Sequence, residues 1–341
     1  MRRNLYPTAF ILAMAFASQH QAEAAHFSTS SIWNRAIPAT AVYTNVSDAL
    51  WGFSPTDSPA QLYLDLVTVI FTNPQSSAVN VRLNSGFDYP KRSVPNGATL
   101  YQRRIASTAG VQESTGNKLG NGIVVIIDPV TGAADEGGAF WRGSNGADIL
   151  IEHDRSVLHY NAFTGSGLYN GVRGSGLAGL GGSIQPGEIN TAIPHALTLL
   201  TSGRLYSKAV GYVWPATRCD SIWKDPTYGY KGPNKAYALG TLLAIPQSVD
   251  LAKLGLTTPQ ALNVAKAAQK YGLYVADSTA AYGNRFALAM EWNAAASDLG
   301  LTVNSSNGWQ AFDSKKIDAN AFQSDMLTIL HNVKAVTSNK P

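Results

Sequence analysis

Most of this chain is patterned in short runs of β-branched and aliphatic residues closed by glycine, proline or asparagine, and few stretches repeat at helical spacing. The run at 64–71 reads Leu-Asp-Leu-Val-Thr-Val-Ile-Phe and stops at Asn73-Pro74. That predicts a strand ended by a turn, with 79–83 as its pairing candidate. Residues 122–128 form a second β-branched run, closed by Pro129-Val130-Thr131-Gly132. Proline fixes φ there and glycine accepts a positive φ, so Phe140-Trp141-Arg142 is expected on the return strand of a hairpin. Further strands are expected at 149–152, 157–163, 209–214, 238–245 and 273–277. Many short strands with glycine- and asparagine-rich turns predict a mainly β fold, a β-sandwich or jelly-roll-like scaffold with a few peripheral helices.

Two segments break the pattern. Thr258 precedes Pro259, and Gly272 follows an apolar face of Leu262, Ala265 and Ala268. An N-cap, a proline at the first helical position and a glycine past the end together define a helix. A second helix is expected over 318–334, where Phe322, Met326, Ile329 and Val333 make an apolar stripe. Residues 304–316 are mostly polar and are expected to be a surface connection. No 20–50-residue repeat or heptad run occurs, which sets aside solenoids and coiled coils.

The first residues carry a different pattern. Arg2 and Arg3, an apolar run over 9–17, and Ala22-Glu23-Ala24 are the three parts of a secretory signal peptide. Residues 1–24 are therefore expected to be removed and 25–341 to form a single β-rich domain, secreted or periplasmic. No later segment approaches the roughly 20 apolar residues of a membrane-spanning helix, so no integral membrane span is expected. The one cysteine, Cys219, excludes an internal disulfide and is expected to be a small buried residue rather than a catalytic thiol. Charged residues make up only 14% of the 341-residue chain, at a net charge of +4. An uncharged polar surface suits hydroxyl-rich ligands. The weak positive balance is compatible with an acidic polysaccharide, and no basic run resembles a nucleic-acid footprint.

Several motifs carry candidate chemistry. Gly174-Ser175-Gly176-Leu177-Ala178-Gly179 spells a dinucleotide-binding pattern, but no strand precedes it, and Gly181-Gly182 with Pro186 stands where the helix should begin. A tight loop near a ligand is the expectation instead. Glu188 and His195 lie seven residues apart beside that loop and can supply an acid and a base at one cleft rim. Equally, Glu188 can cap a turn while His195 is a hydrogen-bonded core residue. Glu152 and Asp154 would share one strand face, where they can flank a glycosidic bond or bind a structural calcium ion; otherwise they are a polar strand end. No other cofactor is expected, and zinc is disfavoured because no short-spaced His/Cys ligand set occurs. Asp277 closes the apolar run Tyr274-Val275-Ala276, a place where carboxylates mark sites or cap turns. Trp141, Trp214, Arg218 and Tyr274 are candidates for holding a sugar. No GxSxG elbow is present.

From Asp128-Pro129-Val130-Thr131-Gly132 through Gly176-Leu177-Ala178-Gly179-Leu180-Gly181-Gly182-Ser183-Ile184-Gln185-Pro186-Gly187-Glu188-Ile189, His195-Ala196-Leu197, Val213-Trp214-Pro215-Ala216 and Tyr271-Gly272-Leu273-Tyr274-Val275-Ala276-Asp277, the chain resembles a family of secreted, largely uncharacterised microbial proteins. The resemblance spans roughly half of the mature chain and implies no catalytic residues. Where that family carries Arg-His and Asn-Gly, this chain has Thr217-Arg218-Cys219 and Ser278-Thr279, which, if those positions serve chemistry, implies altered specificity or none. Taken together, these features predict a secreted carbohydrate-active enzyme that cleaves a polysaccharide. Glycoside hydrolysis through Glu188 and Asp277 leads, with Glu152 or Asp154 as substitute carboxylates. A polysaccharide lyase using His195 or Tyr274 as base and Arg218 against a uronate is the alternative. A non-catalytic polysaccharide-binding envelope protein stands as a third class.

Overall fold

The computed structural model describes residues 26–46, 60–83, 98–110, 122–142, 148–152, 158–169, 171–279, 285–301 and 309–338. The expected signal peptide and Asp154 lie outside the described residues. In chain order the strands are β1 (Tyr43–Thr44), β2 (Gln61–Phe71), β3 (Ala78–Leu83), β4 (Thr99–Arg104), β5 (Ile123–Ile127), β6 (Ala133–Trp141) and β7 (Ile149–Glu152). They continue as β8 (Leu158–Asn161), β9 (Leu197–Thr201), β10 (Leu242–Ala244), β11 (Leu273–Ser278), β12 (Arg285–Glu291), β13 (Trp309–Ala311) and β14 (Lys334–Val336). Among the described residues there are three α-helices: α1 (Pro259–Lys270), α2 (Trp292–Leu299) and α3 (Ala319–Asn332).

The protein is mainly β, as its short apolar runs predict. One hydrogen-bonded path runs β1-β14-β10-β11-β9-β12-β2-β5-β6-β7-β3-β4, with β13 added to β2 and β8 to β6. β2 pairs in parallel with both β5 and β12, and β9 pairs in parallel with β11. Strands in parallel pairs are usually covered on both faces, and β2 fits that rule. Its Leu62, Leu64 and Leu66 join the core under the three helices, while Val67 and Val69 face a second core built with Trp33, Leu177 and Leu180. A third cluster of Ile70, Val81, Val124, Ile126, Ile149 and Ile151 packs β3 and β7 over β2 and β5, which gives this end its sandwich-like layering.

Both expected helices form, the first with its expected ends and the second stopping at Asn332, because Val333 is extended and Lys334 opens β14. Thr258 Oγ1 accepts from Ala261 N–H at 3.3 Å ahead of Pro259, and Asp318 caps α3 through Asn320 and Ala321. The buried face of α1 is Ala261, Val264, Ala265 and Ala268, with Leu262 half-buried beside it. Three expectations are corrected. Residues 79–83 pair with β4 and β7 rather than with β2, because β5 and β12 already occupy most of β2's edges. Residues 209–214 form no strand: Ser207 Oγ accepts from Ala209 and Val210 N–H, which turns the backbone, and Tyr212 keeps only an isolated bridge to Leu239. Finally, the expected surface connection over 304–316 includes a strand: Trp309–Ala311 pair antiparallel with residues 63–65 of β2 as β13.

Candidate active site

The glycine-rich segment at 171–187 forms a largely buried loop with no helix, which explains why its dinucleotide spelling carries no dinucleotide geometry. It is fastened by charged side chains. Glu136, buried on β6, accepts from Val172 N–H and Gly179 N–H, each at 2.9 Å, and from the Tyr160 hydroxyl at 2.9 Å. Arg173 is fully buried; it pairs with Asp65 of β2 and donates to the Gly179 carbonyl at 3.0 Å. Gly181 packs so closely on the Trp33 indole that a Cβ there would sit 2.2 Å from the ring. A side chain at that position would displace the tryptophan from its core.

At one end of this loop, Glu188 and His195 form an ion pair of 2.9 Å. Glu188 also accepts from Gln185 N–H at 2.8 Å, so it closes the turn that precedes it. The second imidazole nitrogen of His195 faces the Ala196 carbonyl at 2.8 Å. Both ring nitrogens thus meet acceptors, an arrangement that favours the doubly protonated ring. Burial pulls the His195 pKa down, but the hydrogen bond and charge of Glu188, with the Ala196 carbonyl and Glu291, outweigh it and leave the pKa raised. With only 4% of His195 exposed, this pair is a structural clasp, and His195 has no access to a substrate as base. A parallel clasp joins His26 to Glu291 at 2.6 Å, at the end of β12.

Asp277 is elsewhere. It lies near the end of β11 opposite Leu200, whereas His195 precedes the start of β9 on the parallel neighbour, so the two stand toward opposite ends of that ladder. The pairing of β11 with β9 shifts register between Val275 and Asp277, and bulges of this kind re-aim a side chain. The Asp277 carboxyl accepts from Gly174 N–H at 3.0 Å and from Ser278 N–H at 2.8 Å. A Cβ placed on Gly174 would stand 2.5 Å from Oδ1 of Asp277 and 2.7 Å from Oδ1 of Asp220. Gly174 is therefore the floor on which two carboxyls meet, and no larger residue leaves room for both.

Asp220 was not among the sequence candidates. The other Asp220 oxygen accepts from the Tyr230 hydroxyl at 2.7 Å, and burial with the Asp220 charge raises the Tyr230 pKa so that the phenol remains a donor. Asp277 is pushed up to about 7 from 3.8, first by burial and then by the Asp220 charge, against the opposing Gly174 hydrogen bond and Arg173. The pair therefore offers one carboxyl able to hold a proton near neutrality beside a second carboxyl. The sequence signal for Asp220 was its place three residues after Thr217, in the segment that follows Trp214-Pro215-Ala216.

The remaining candidates are placed as follows. Tyr274 is a core residue, 1% exposed, with its ring edge-on to Trp33 at 5.2 Å, so it neither binds sugar nor serves as a base. Arg218 clasps the backbone, donating to the carbonyls of Gly171 and Arg173. Trp214, half-buried and joined to Pro215 by a cis peptide, lines an apolar hollow with Val213, Leu242 and Val336. Trp141 and Glu152 end β6 and β7, away from the paired ends of β9 and β11. The Cys219 thiol is pushed up to about 11 by burial and then by Asp220, which keeps it protonated. Among the described residues no group of three His, Cys, Asp or Glu side chains is arranged to hold a metal ion, and no helix is long and apolar enough to cross a membrane. No family model, curated protein or solved structure matches this chain.

Proposed function

We propose that this protein is an exported hydrolase that cleaves glycosidic bonds of a polysaccharide, with Asp277 as the proton donor and Asp220 as its ionised partner. The observation that carries this reading is the meeting of the two carboxyls over Gly174, with Asp277 raised to about 7. Glycoside hydrolysis uses a protonated carboxyl to deliver a proton to the leaving oxygen and a carboxylate to meet the developing positive charge at the anomeric carbon. The two Oδ1 atoms are closer than the roughly 6.5–9.5 Å that inverting enzymes keep to admit a water. The short spacing supports a retaining course, in which Asp220 attacks the anomeric carbon and water later releases the sugar.

The protein's own residues supply the supporting roles. Tyr230 holds Asp220 in place through its hydroxyl, and Gly174 N–H orients Asp277. The signal-peptide pattern of residues 1–24 supports export to where polysaccharide is met. Incubation of the mature protein with a panel of neutral and uronate polysaccharides tests the reading. New reducing ends, lost in Asp277→Asn, support it. Unsaturated products in place of reducing ends alone would move it to the lyase class, and no product from any polymer would leave a binding protein.

A further inference from the structure

The loop that carries Asp220 has an unusual surface. Among the described residues, the exposed large aromatic side chains are Tyr212 and Tyr228, each 45% exposed, and Ile222 stands with them at 49%. All three belong to the segment 208–235. The same segment holds five basic residues, Lys208, Arg218, Lys224, Lys231 and Lys235, against two acidic ones, Asp220 and Asp225, in a chain otherwise sparse in charge. The four lysines are exposed.

The segment is folded back on itself and on the carboxyl pair. Tyr230 N–H donates to the Trp223 carbonyl at 2.9 Å, while its hydroxyl holds Asp220. A Cβ on Gly211 would meet Cys219 Sγ at 2.7 Å and the Trp223 ring at 3.2 Å, so the backbone next to Tyr212 packs on Trp223. Lys224 lies over the Trp223 ring at 4.7 Å. Ser207 bridges Gly232, and Lys208 N–H donates to the Gly232 carbonyl at 2.9 Å, which brings Lys208 next to Lys231. Aromatic faces in water are costly unless a ligand covers them, and sugars stack on such faces. Exposed ammonium groups around them attract an anionic polymer and raise its local concentration.

We propose that the surface formed by 208–235 binds an acidic polysaccharide, its rings stacked on Tyr212 and Tyr228 and its carboxylate or sulfate groups met by Lys208, Lys231 and Lys235. The proposal deepens the hydrolase reading, on which it rests for the position of the scissile bond over Asp220 and Asp277. Binding without turnover tests it separately. Titration of the Asp277→Asn protein with polygalacturonate, dextran sulfate, dextran and a single-stranded DNA oligonucleotide measures recognition alone.

Polygalacturonate or dextran sulfate is expected to bind at least ~10-fold more tightly than dextran at low salt, and to weaken about fivefold as ionic strength rises and the Debye length shrinks. Which of the two anionic polymers binds better tells carboxylate from sulfate. Tyr212→Ala with Tyr228→Ala is expected to lower that affinity about tenfold, and Lys208→Gln with Lys235→Gln about fivefold, with unchanged circular dichroism. Dextran binding as tightly as the acidic polymers, DNA binding as tightly as both, or affinity unmoved by either double variant overturns the proposal. Cleavage of neutral polymer without acidic binding would leave the hydrolase standing and remove this surface. Acidic binding without cleavage of any polymer would do the reverse.

Discussion

Two pairs of titratable side chains sit near opposite ends of the same parallel ladder, β9 with β11, and their chemistry diverges because of the sign of the partner. Glu188 and His195 are of opposite sign, so pairing favours the charged imidazole against the opposing pull of burial. Asp220 and Asp277 carry like charges, so burial and proximity act in the same direction and one carboxyl keeps its proton up to about pH 7. The first pair fastens the loop at 171–187 to its neighbours, and the second stores unfavourable electrostatics at a strand end beside a bulge. Buried groups that satisfy one another hold a fold, while buried groups that frustrate one another mark chemistry.

The largest test of this contrast is catalytic. Asp277→Asn and Asp220→Asn are each expected to lower kcat on a cleaved polysaccharide by ~10³-fold, in the range of a lost general acid or nucleophile. Glu188→Gln, at the other end of the ladder, is expected to leave kcat within about threefold, because distant sites act independently. A comparable loss from Glu188→Gln in a folded protein would erase the distinction between the pairs.

Stability should show the opposite ranking. Glu188→Ala leaves a buried imidazolium without its carboxylate and is expected to cost ~3–5 kcal/mol in urea unfolding near pH 6. The His195 pKa is raised by folding, so the stabilisation is fully present below its unfolded value and is lost as pH rises through the folded value. The cost of Glu188→Ala should therefore shrink in alkaline solution; a cost independent of pH would mean that the pair is held by packing alone.

Gly174→Ala is expected to part the two carboxyls and lower kcat by ~10-fold, since displacements of about 1 Å cost up to about 10²-fold. The change should also move the alkaline limb of the pH–rate profile to lower pH, because a proton donor parted from its like-charged neighbour ionises more readily. An unchanged profile would show that the carboxyls do not share the glycine floor during turnover.

The smallest effect concerns the pH dependence of folding. Asp277 is raised from 3.8 to about 7, so its contribution to stability is complete below its unfolded value and is lost as pH rises through 7. Asp277→Asn removes the ionisable group and should raise Tm by about 2–6 °C at pH 8 relative to the parent, with little gain at pH 4. Equal changes at both pH values would break the assignment.

Much of the architecture was legible because periodicity and caps are local properties. The strand at β2, the hairpin of β5 and β6, and both ends of α1 follow from residues within a few positions of one another. The candidate site was legible only in part. Asp277 was visible as a carboxylate closing an apolar strand, and Glu188 with His195 as neighbours in sequence. That these two are a clasp, and that Tyr274 is sealed against Trp33, depends on which way each strand face points. Asp220 gave almost no signal, since its partner lies 57 residues away and meets it only over Gly174.

The order of residues is enough to dictate short strands, capped helices and a weakly basic, hydroxyl-rich composition, because each depends on local sterics or on simple counts. Which carboxyls share an environment is a long-range property. The tertiary fold decided it by laying the loop at 171–187 across the end of β11 and bringing the segment at 208–235 against it. Electrostatic coupling falls with distance through space and is blind to separation along the chain, so the like-charged pair exists only once these segments have packed together.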